Sequence, residues 1–150
     1  MMKADMDFGK IYVDWLKQNI DQYRVNEMTF RLTLPFLDRN NDHIEMYIID
    51  NGNETYTITD DGATIGDLQL GGFDFSGSTR RKIILDSIIS AHGITKTEND
   101  ELTVNCTVSD LPLKKHMLAQ CMIKVSDMFY LSRSNIQAVY LDDVQKFFDL

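Results

Sequence analysis

DHIEMYIIDNGNETYTITDDG, residues Asp42 to Gly62, is the segment that decides the fold. Ile44, Met46 and Ile48 alternate with polar residues, which is the period of two expected of a half-buried strand. The cluster Asp50-Asn51-Gly52-Asn53 follows, and its residues tolerate the positive φ angles of a tight turn. The segment therefore predicts a β-hairpin that runs into the start of a helix.

The register of this hairpin follows from which side chains share a face. A two-residue Asn51-Gly52 loop would set Ile48 opposite Thr55 and so place threonines on the apolar face. A three- or five-residue loop centred on Gly52 sets Ile48 opposite Tyr56 instead. Because a slip of one residue moves every side chain to the other face, we predict the longer loop.

Alternation continues on both sides of the hairpin. Residues 28–36 form a strand pattern with one buried face, and Pro35 should lie near a strand end or on an edge because it cannot donate a ladder hydrogen bond. Residues 102–108 alternate in the same way. We therefore expect three antiparallel strands in meander order and a fourth strand from residues 102–108.

An N-terminal helix is predicted over residues 7–23. Its apolar residues recur at three- and four-residue steps, and Asp5 or Asp7 can cap it. We expect this aromatic stripe to pack on the sheet. The stripe consists of Phe8, Ile11, Tyr12, Trp15, Leu16, Ile20 and Tyr23.

Three more helices are predicted after the hairpin. A short one follows the Thr59–Gly62 junction and ends at Gly71-Gly72, and Phe73 and Phe75 beyond it are expected to be tucked on the core. Another begins at Ser78 and ends at Gly93, with Ile83, Ile84, Ile88 and Ala91 as its stripe. A long helix opens at Pro112 and runs to about residue 131, with methionines as core filler.

Composition limits the classes of function. The chain has 150 residues and a formal net charge of −8, which fits one globular domain and disfavours sequence-independent binding to DNA or RNA. The apolar runs are too short to span a membrane and the N-terminus lacks a signal-peptide core, so a cytoplasmic protein is expected. No cofactor is expected, since no phosphate loop, dinucleotide fingerprint or zinc-binding histidine spacing occurs.

The acidic side chains of the hairpin region form a candidate binding surface. We expect this surface to meet a basic surface on a protein partner, as a nucleic-acid mimic would, with ordinary solvated charge as the alternative. The residues are Asp38, Asp42, Glu45, Asp50 and Glu54.

The same region leaves an enzymatic alternative open. Carboxylates around Asp42 and Asp60 can converge at one edge of the sheet and hold a divalent cation for chemistry on nucleic acid. The spacing matches no calcium loop, and Tyr47 stands where a catalytic lysine would follow Asp42 and Glu45. No catalytic or metal-binding residue is therefore assigned.

Arg80, Arg81 and Lys82 form the only basic cluster in the sequence. They lie in the first turn of a predicted helix, where positive charge opposes the helix dipole. We expect them to pair within the chain, with the acidic hairpin as one candidate, and contact with an anionic partner is the alternative. Cys106 and Cys121 are expected to be two buried free thiols.

The order of motifs resembles that of a known family. It runs from TDDG at Thr59–Gly62 through a short helix to GDL, a glycine-containing loop, STRRKIILDSIISAHGI, ELTV and a long helix ending in KVSDM. This order resembles the domain-of-unknown-function family eighteen twenty-eight (DUF1828) over roughly residues 30–130. The resemblance implies occurrence in bacteria and on prophages or other mobile elements, and it implies no activity.

We therefore predict one α+β domain with a mainly antiparallel sheet of about four strands and helices packed on one face. It comprises the N-terminal helix 7–23, a family-like core 28–131 and a C-terminal extension 134–150. The predicted function is that of a non-catalytic accessory or regulatory protein of a phage or mobile element that binds another protein. A homodimer is also expected, formed through Phe147, Phe148 and the methionine-bearing helix.

Overall fold

The computed structural model of the chain describes residues 5–131, 141 and 143–148. Its helices are α1 (Phe8–Asn19), α2 (Ala63–Leu70), α3 (Thr79–Ala91) and α4 (Leu111–Asp127), and a 3₁₀ turn (Met128–Leu131) follows α4. Its strands are β1 (Asp21–Arg24), β2 (Thr29–Leu37), β3 (His43–Asp50), β4 (Thr55–Thr59), β5 (Thr95–Lys96) and β6 (Leu102–Thr107). Residues 143–148 are helical as well.

The strands form one sheet in the order β1-β2-β3-β4-β6-β5, and every neighbouring pair is antiparallel. The α+β class and the antiparallel sheet are confirmed, but the expected number of strands is wrong, because the sheet has six. The two additional strands are the short ones at its edges. Ile20 and Tyr23 continue the helical spacing of α1, so the sequence pattern hides the point where Ile20 becomes extended and β1 begins.

The hairpin is confirmed, and its loop lies one residue further along than predicted. Ile48 lies opposite Ile58, and the turn is closed by hydrogen bonds from Asn51 N to Thr55 O (3.0 Å) and from Thr55 N to Gly52 O (3.1 Å). The predicted partner of Ile48, Tyr56, lies opposite Asp50 instead. The loop is centred on Asn53 because Asn53 and Glu54 both take left-handed φ angles, so they share the reversal with Gly52. The apolar face is the one predicted.

The core fills the space between one face of the sheet and helices α2, α3 and α4. Its fully buried members include Leu34 of β2, Met46 of β3, Ile58 of β4, Leu68 of α2 and Leu118 of α4. The opposite face carries polar side chains at the alternate strand positions. The expectation that the N-terminal stripe packs on the sheet is confirmed only at Ile20, which packs against the core, and at Leu16, which is half-buried. The other residues of the stripe are exposed, and no residue of α1 is fully buried.

The junctions around α2 and α3 follow the sequence prediction. Phe73 N donates to Leu68 O (2.9 Å) where the glycine pair ends α2, and Phe73 and Phe75 are both buried. Ser78 caps α3 by accepting a hydrogen bond from Arg81 N (3.2 Å). In α3, Ile84 and Ile88 pack against the core as predicted, and Leu85 and Ile89 beside them are buried. The predicted stripe residues Ile83 and Ala91 are exposed.

The methionine-bearing helix α4 belongs to the core. Met122 and Met128 are buried, and Cys106 and Cys121 are buried free thiols as predicted. The face of α4 that was expected to support a dimer is therefore already covered. Phe147 and Phe148 are exposed, whereas the rest of the predicted extension 134–150 lies largely outside the described residues. No helix among the described residues combines the length and apolar character needed to cross a membrane.

Candidate functional site: an acidic cleft beside β3

One carboxylate folds the turn between β2 and β3. Asp38 Oδ1 accepts hydrogen bonds from the backbone N–H groups of Asn40 (2.8 Å) and Asp42 (3.0 Å). The N–H group of Asp38 donates in turn to the carbonyl of Asp42 (2.9 Å). Asn41 takes a left-handed φ of 61°, which asparagine tolerates. Asp38 therefore has a structural role, and it fixes the position from which Asp42 projects.

Arg39 clamps this turn onto the helices. Its Nε donates to Asp67 Oδ2 (2.9 Å) and its Nη2 to the carbonyl of Asp67 at 3.1 Å. Its guanidinium carbon lies 4.1 Å from the centre of the Phe129 ring, and its backbone N–H donates to Ser126 Oγ at 3.2 Å. Asn40 Nδ2 adds two hydrogen bonds to the Asp67 carboxylate. The turn is thus held on both α2 and α4.

The sheet is incomplete next to this turn. Strand β4 pairs with β3 only from Tyr47 to Asp50. The first half of β3, residues 43–46, pairs with β2 on one side, and no described strand pairs with it on the other. A half-strand with an open edge therefore faces the start of α2.

A cleft of about 440 Å³ occupies this gap. The start of α2 and the last turns of α4 form its walls, together with the β2–β3 turn and the first half of β3. Four carboxylates line it. The lining residues are Asp38, Asp42, His43, Ile44, Glu45, Ala63, Thr64, Asp67, Met122 and Ser126.

Two of the four carboxylates have no partner in the described part of the chain. Asp38 is engaged in the turn and Asp67 by Arg39 and Asn40. The side chains of Asp42 and Glu45 are exposed and make no hydrogen bond or ion pair with another described residue. The cleft thus presents two uncommitted negative charges, which we call the acidic pair: Asp42 ends the turn that is fixed in place, and Glu45 follows on β3.

Asp60 is a structural residue that binds the backbone of the cleft residue Thr64. It is buried, and its Oδ1 accepts from Gly62 N (2.9 Å) and Leu102 N (2.9 Å) while its Oδ2 accepts from Thr64 N at 3.0 Å. One side chain therefore joins β6 to the start of α2. The predicted role of an aspartate as cap of this helix is confirmed. Three backbone donors occupy the two oxygens of this side chain, which is 1% exposed, and only one lone pair, on Oδ2, is left unused.

The predicted acidic surface is divided between the two ends of the hairpin. Asp38, Asp42 and Glu45 line the cleft, whereas Asp50 and Glu54 lie at the other end of β3. At about 3.3 Å per strand residue, Asp50 is roughly 17 Å from Glu45 and roughly 26 Å from Asp42. Asp50 Oδ1 accepts a hydrogen bond from Gly52 N (2.9 Å), so that carboxylate serves the turn. The five acids do not form one surface.

The basic cluster does not pair with the acidic hairpin. The guanidinium carbon of Arg81 lies 4.2 Å from the centre of the Phe73 ring, and its Nη1 donates to the carbonyl of Asp74 at 2.8 Å. Arg80 and Lys82 are exposed, and no ion pair of the described residues includes any of the three. Hydrogen bonds from Ser76 lower the pKa of the Asp74 carboxyl, and the charges of Arg81 and Lys82 lower it further. Within the cluster, only the side chain of Arg81 makes a hydrogen bond or ring contact in the described part of the chain, and it does so with the loop before α3. Pairing of Arg80 and Lys82 within the chain stays a prediction.

Asp67, Thr64 and Ser126 are cleft residues that the sequence pattern did not reveal. Thr64 and Asp67 lie on α2 shortly after the hairpin, and Ser126 lies on α4 far along the chain from it. No local motif marks any of the three. Among the described residues, no group of three or more His, Cys, Asp or Glu side chains is arranged to hold a metal ion.

The family comparison covers the part of the chain that contains this cleft. The model of the family described as Domain of unknown function DUF1828 matches residues 34–125. The chain belongs to the DUF1828 family. Comparisons with curated proteins and with solved structures gave no match.

The limits of the DUF1828 match show which elements belong to the family segment and which lie outside it. The matched segment begins within β2, includes the β2–β3 turn, the hairpin, α2 and α3, and ends inside α4. It therefore contains nine of the ten residues that line the acidic cleft, and the tenth, Ser126, follows it directly. Helix α1 and strand β1 precede it, so they are additions to the DUF1828 segment at the β1 edge of the sheet.

Proposed function

We propose that this DUF1828 protein is a non-catalytic accessory or regulatory protein that binds a basic segment of another protein in the acidic cleft. The acidic pair carries this proposal, because Asp42 and Glu45 are uncommitted carboxylates, one at the end of the turn that Arg39 holds in place and the other on the strand that follows it. A preorganised carboxylate loses little freedom when it pairs with lysine or arginine, so more of the interaction energy appears as affinity. Its role in a phage or other mobile element is part of the proposal and rests on the family resemblance.

The open half of β3 favours an extended ligand. An extended peptide can add to an unpaired strand edge through backbone hydrogen bonds, while pockets for alternate side chains supply specificity. In this cleft the edge of residues 43–46 lies between carboxylates. An extended segment with lysine or arginine at alternate positions is therefore the ligand that fits best.

Net charge supports the same ligand. The chain carries a formal net charge of −8, and the electric field of this charge accelerates the approach of a basic partner and slows that of an acidic one. Charge complementarity of this kind acts mainly on the association rate, and the rate falls as salt screens the field.

Replacing the acidic pair by Asp42→Asn with Glu45→Gln is expected to slow association with a basic peptide roughly tenfold at low salt. The probe is a fluorescein-labelled peptide of alternating lysine and threonine, about eight residues long so that it covers the four-residue open edge and extends past both of its ends. Stopped-flow anisotropy gives the association rate across a salt series. The peptide with glutamate in place of lysine should not bind.

The matched control makes the same change in charge elsewhere. Glu54→Gln with Asp61→Asn also removes two exposed carboxylates that make no side-chain hydrogen bond with another described residue. We expect this control to bind the peptide nearly as fast as the parent. Equal slowing in both variants, or in neither, would show that the acids serve solubility alone.

The enzymatic alternative predicts a measurable metal site. Because the Asp60 oxygens are engaged by three backbone donors, we expect calorimetry with magnesium or manganese to show only the weak binding of ordinary surface acids. A stoichiometric, saturable site that is lost in Asp42→Asn would contradict the non-catalytic proposal. The Asp61→Asn variant serves as the control for nonspecific loss of charge.

A further inference from the structure

Helix α1 exposes an apolar face that nothing in the described structure covers. Phe8, Ile11, Tyr12 and Trp15 follow one another at steps of three, one and three residues, so they share one side of the helix. Their side chains are 74%, 54%, 54% and 48% exposed, respectively. The charged residues Lys10, Asp14 and Lys17 lie on the other side. We call the four apolar residues the α1 stripe.

A helix of this kind is not expected to be stable in water without cover. Isolated helices shorter than about 12–15 residues are marginal even in favourable sequences, and α1 has 12 residues. Gly9, Ile11 and Val13 lower its helix propensity further. Asp7 caps it and the exposed Lys10–Asp14 ion pair supports it (2.7 Å), but such a pair contributes only a few tenths of a kcal/mol. The formed helix therefore points to a partner that packs on the stripe.

The exposed apolar area at this edge of the molecule is large enough for a stable interface. The stripe is accompanied by Met6, Tyr23, Val25 and Met28, which are also exposed. Half-exposed side chains of these sizes present roughly 100 Å² each, so the eight together offer roughly 800 Å². A standard protein interface buries about 800 Å² per partner.

We propose that the α1 stripe is a dimerisation surface and that its occupant is the α1 stripe of a second copy of this chain. In an antiparallel pair of helices centred on Tyr12, Phe8 lies level with Leu16 of the other copy, and Trp15 lies level with Gly9. A two-fold arrangement of this kind closes on itself and covers both stripes at once.

A membrane surface is a less suitable occupant. Helices that lie on membranes carry many lysine and arginine residues on the polar face, whereas α1 has two lysines and one aspartate, a net charge of +1. The charge of the whole chain, −8, would repel anionic lipid headgroups. The polar face of α1 carries too little positive charge to overcome this repulsion.

The experiment uses the full chain and its only tryptophan, Trp15. At about 10 µM we expect sedimentation at twice the 17.3 kDa of one chain and a blue-shifted emission of Trp15, and dilution should shift the emission to the red as the dimer separates. Phe8→Glu with Ile11→Glu keeps the reporter and changes only exposed positions. It should weaken the dimer by about 100-fold or more while leaving the monomer folded by circular dichroism.

The control is Leu70→Glu with Val108→Glu, which replaces two apolar residues that are 91% and 64% exposed outside α1. It should leave the dimer unchanged. The proposal is overturned if the parent stays monomeric at about 100 µM, or if the α1 variant dimerises like the parent, as a dimer formed through Phe147 and Phe148 would. Binding of the parent monomer to vesicles of phosphatidylcholine and phosphatidylglycerol, lost in the α1 variant, would overturn it in favour of a membrane.

Discussion

Asp60→Ala is expected to lower the free energy of unfolding by about 3 to 5 kcal/mol. Its carboxylate accepts hydrogen bonds from Gly62 N, Thr64 N and Leu102 N in a site that is 1% exposed, so alanine leaves three backbone donors without their acceptor. Each unsatisfied buried donor costs about 1 to 3 kcal/mol, and partial entry of water reduces the sum. Urea unfolding followed by circular dichroism measures the difference.

The arrangement of donors around the two carboxylate oxygens predicts that Asp60→Asn loses less stability than Asp60→Ala. Two donors meet Oδ1, and Thr64 N alone meets Oδ2. An asparagine can keep its carbonyl oxygen at the Oδ1 position and lose only the Thr64 hydrogen bond, so we expect about half of the alanine effect. Asp61→Asn is the control, because Asp61 is exposed and asparagine tolerates its left-handed φ of 59°. Equal stability of Asp60→Ala and the parent would show that these contacts contribute nothing.

The periodicity of the sequence predicted the helices and strands better than it predicted which parts of the protein cover them. The period of two in residues 42–62 gave the correct apolar face of the hairpin, since a shift of the loop by one residue at its centre preserves the parity of the pairing. The two-residue β5 and the four-residue β1 are too short to show a period. In α1, the helical spacing identified which residues share a face, but spacing carries no information about what covers that face. The stripe was therefore placed on the sheet although it is exposed.

The cleft could be anticipated only where its residues are close in sequence. Asp38, Asp42 and Glu45 lie within eight residues of one another and adjoin a predicted turn, so their proximity follows from local structure. Asp67 reaches the same cleft because Arg39 binds it, and that contact joins residues 28 positions apart. In the basic cluster, Arg81 packs on the ring of Phe73, which lies only eight residues earlier in the chain. The prediction considered only acidic partners for this arginine and therefore missed an aromatic one.

Alkaline pH is expected to destabilise the protein through Cys121. Burial raises the pKa of this thiol to about 12, and the negative charge of Asp60 adds to the increase. In the unfolded chain the thiol has its ordinary pKa of 9.0, so above pH 9 the unfolded chain binds fewer protons than the folded one. Stability is therefore unaffected by this group below pH 9 and falls by about 1.4 kcal/mol per pH unit above it. The loss approaches about 4 kcal/mol near pH 12.

The effect is isolated by comparing the parent with Cys121→Ala from pH 8 to 10.5 in urea unfolding. At pH 8 the variant has a lower free energy of unfolding than the parent, because deletion of a fully buried side-chain atom costs about 1 to 2 kcal/mol. It has no thiol at this position, so it does not lose stability through this titration as pH rises. Lysines and tyrosines titrate in both proteins and cancel in the difference. We expect the two stability curves to converge as pH rises. Burial also raises the pKa of Cys106, whose side chain is 6% exposed against 0% for Cys121, so Cys106→Ala should converge on the parent more slowly. If the two stability curves instead stay parallel across this range, the pKa of the Cys121 thiol is the same in the folded and the unfolded chain, and the expectation is wrong.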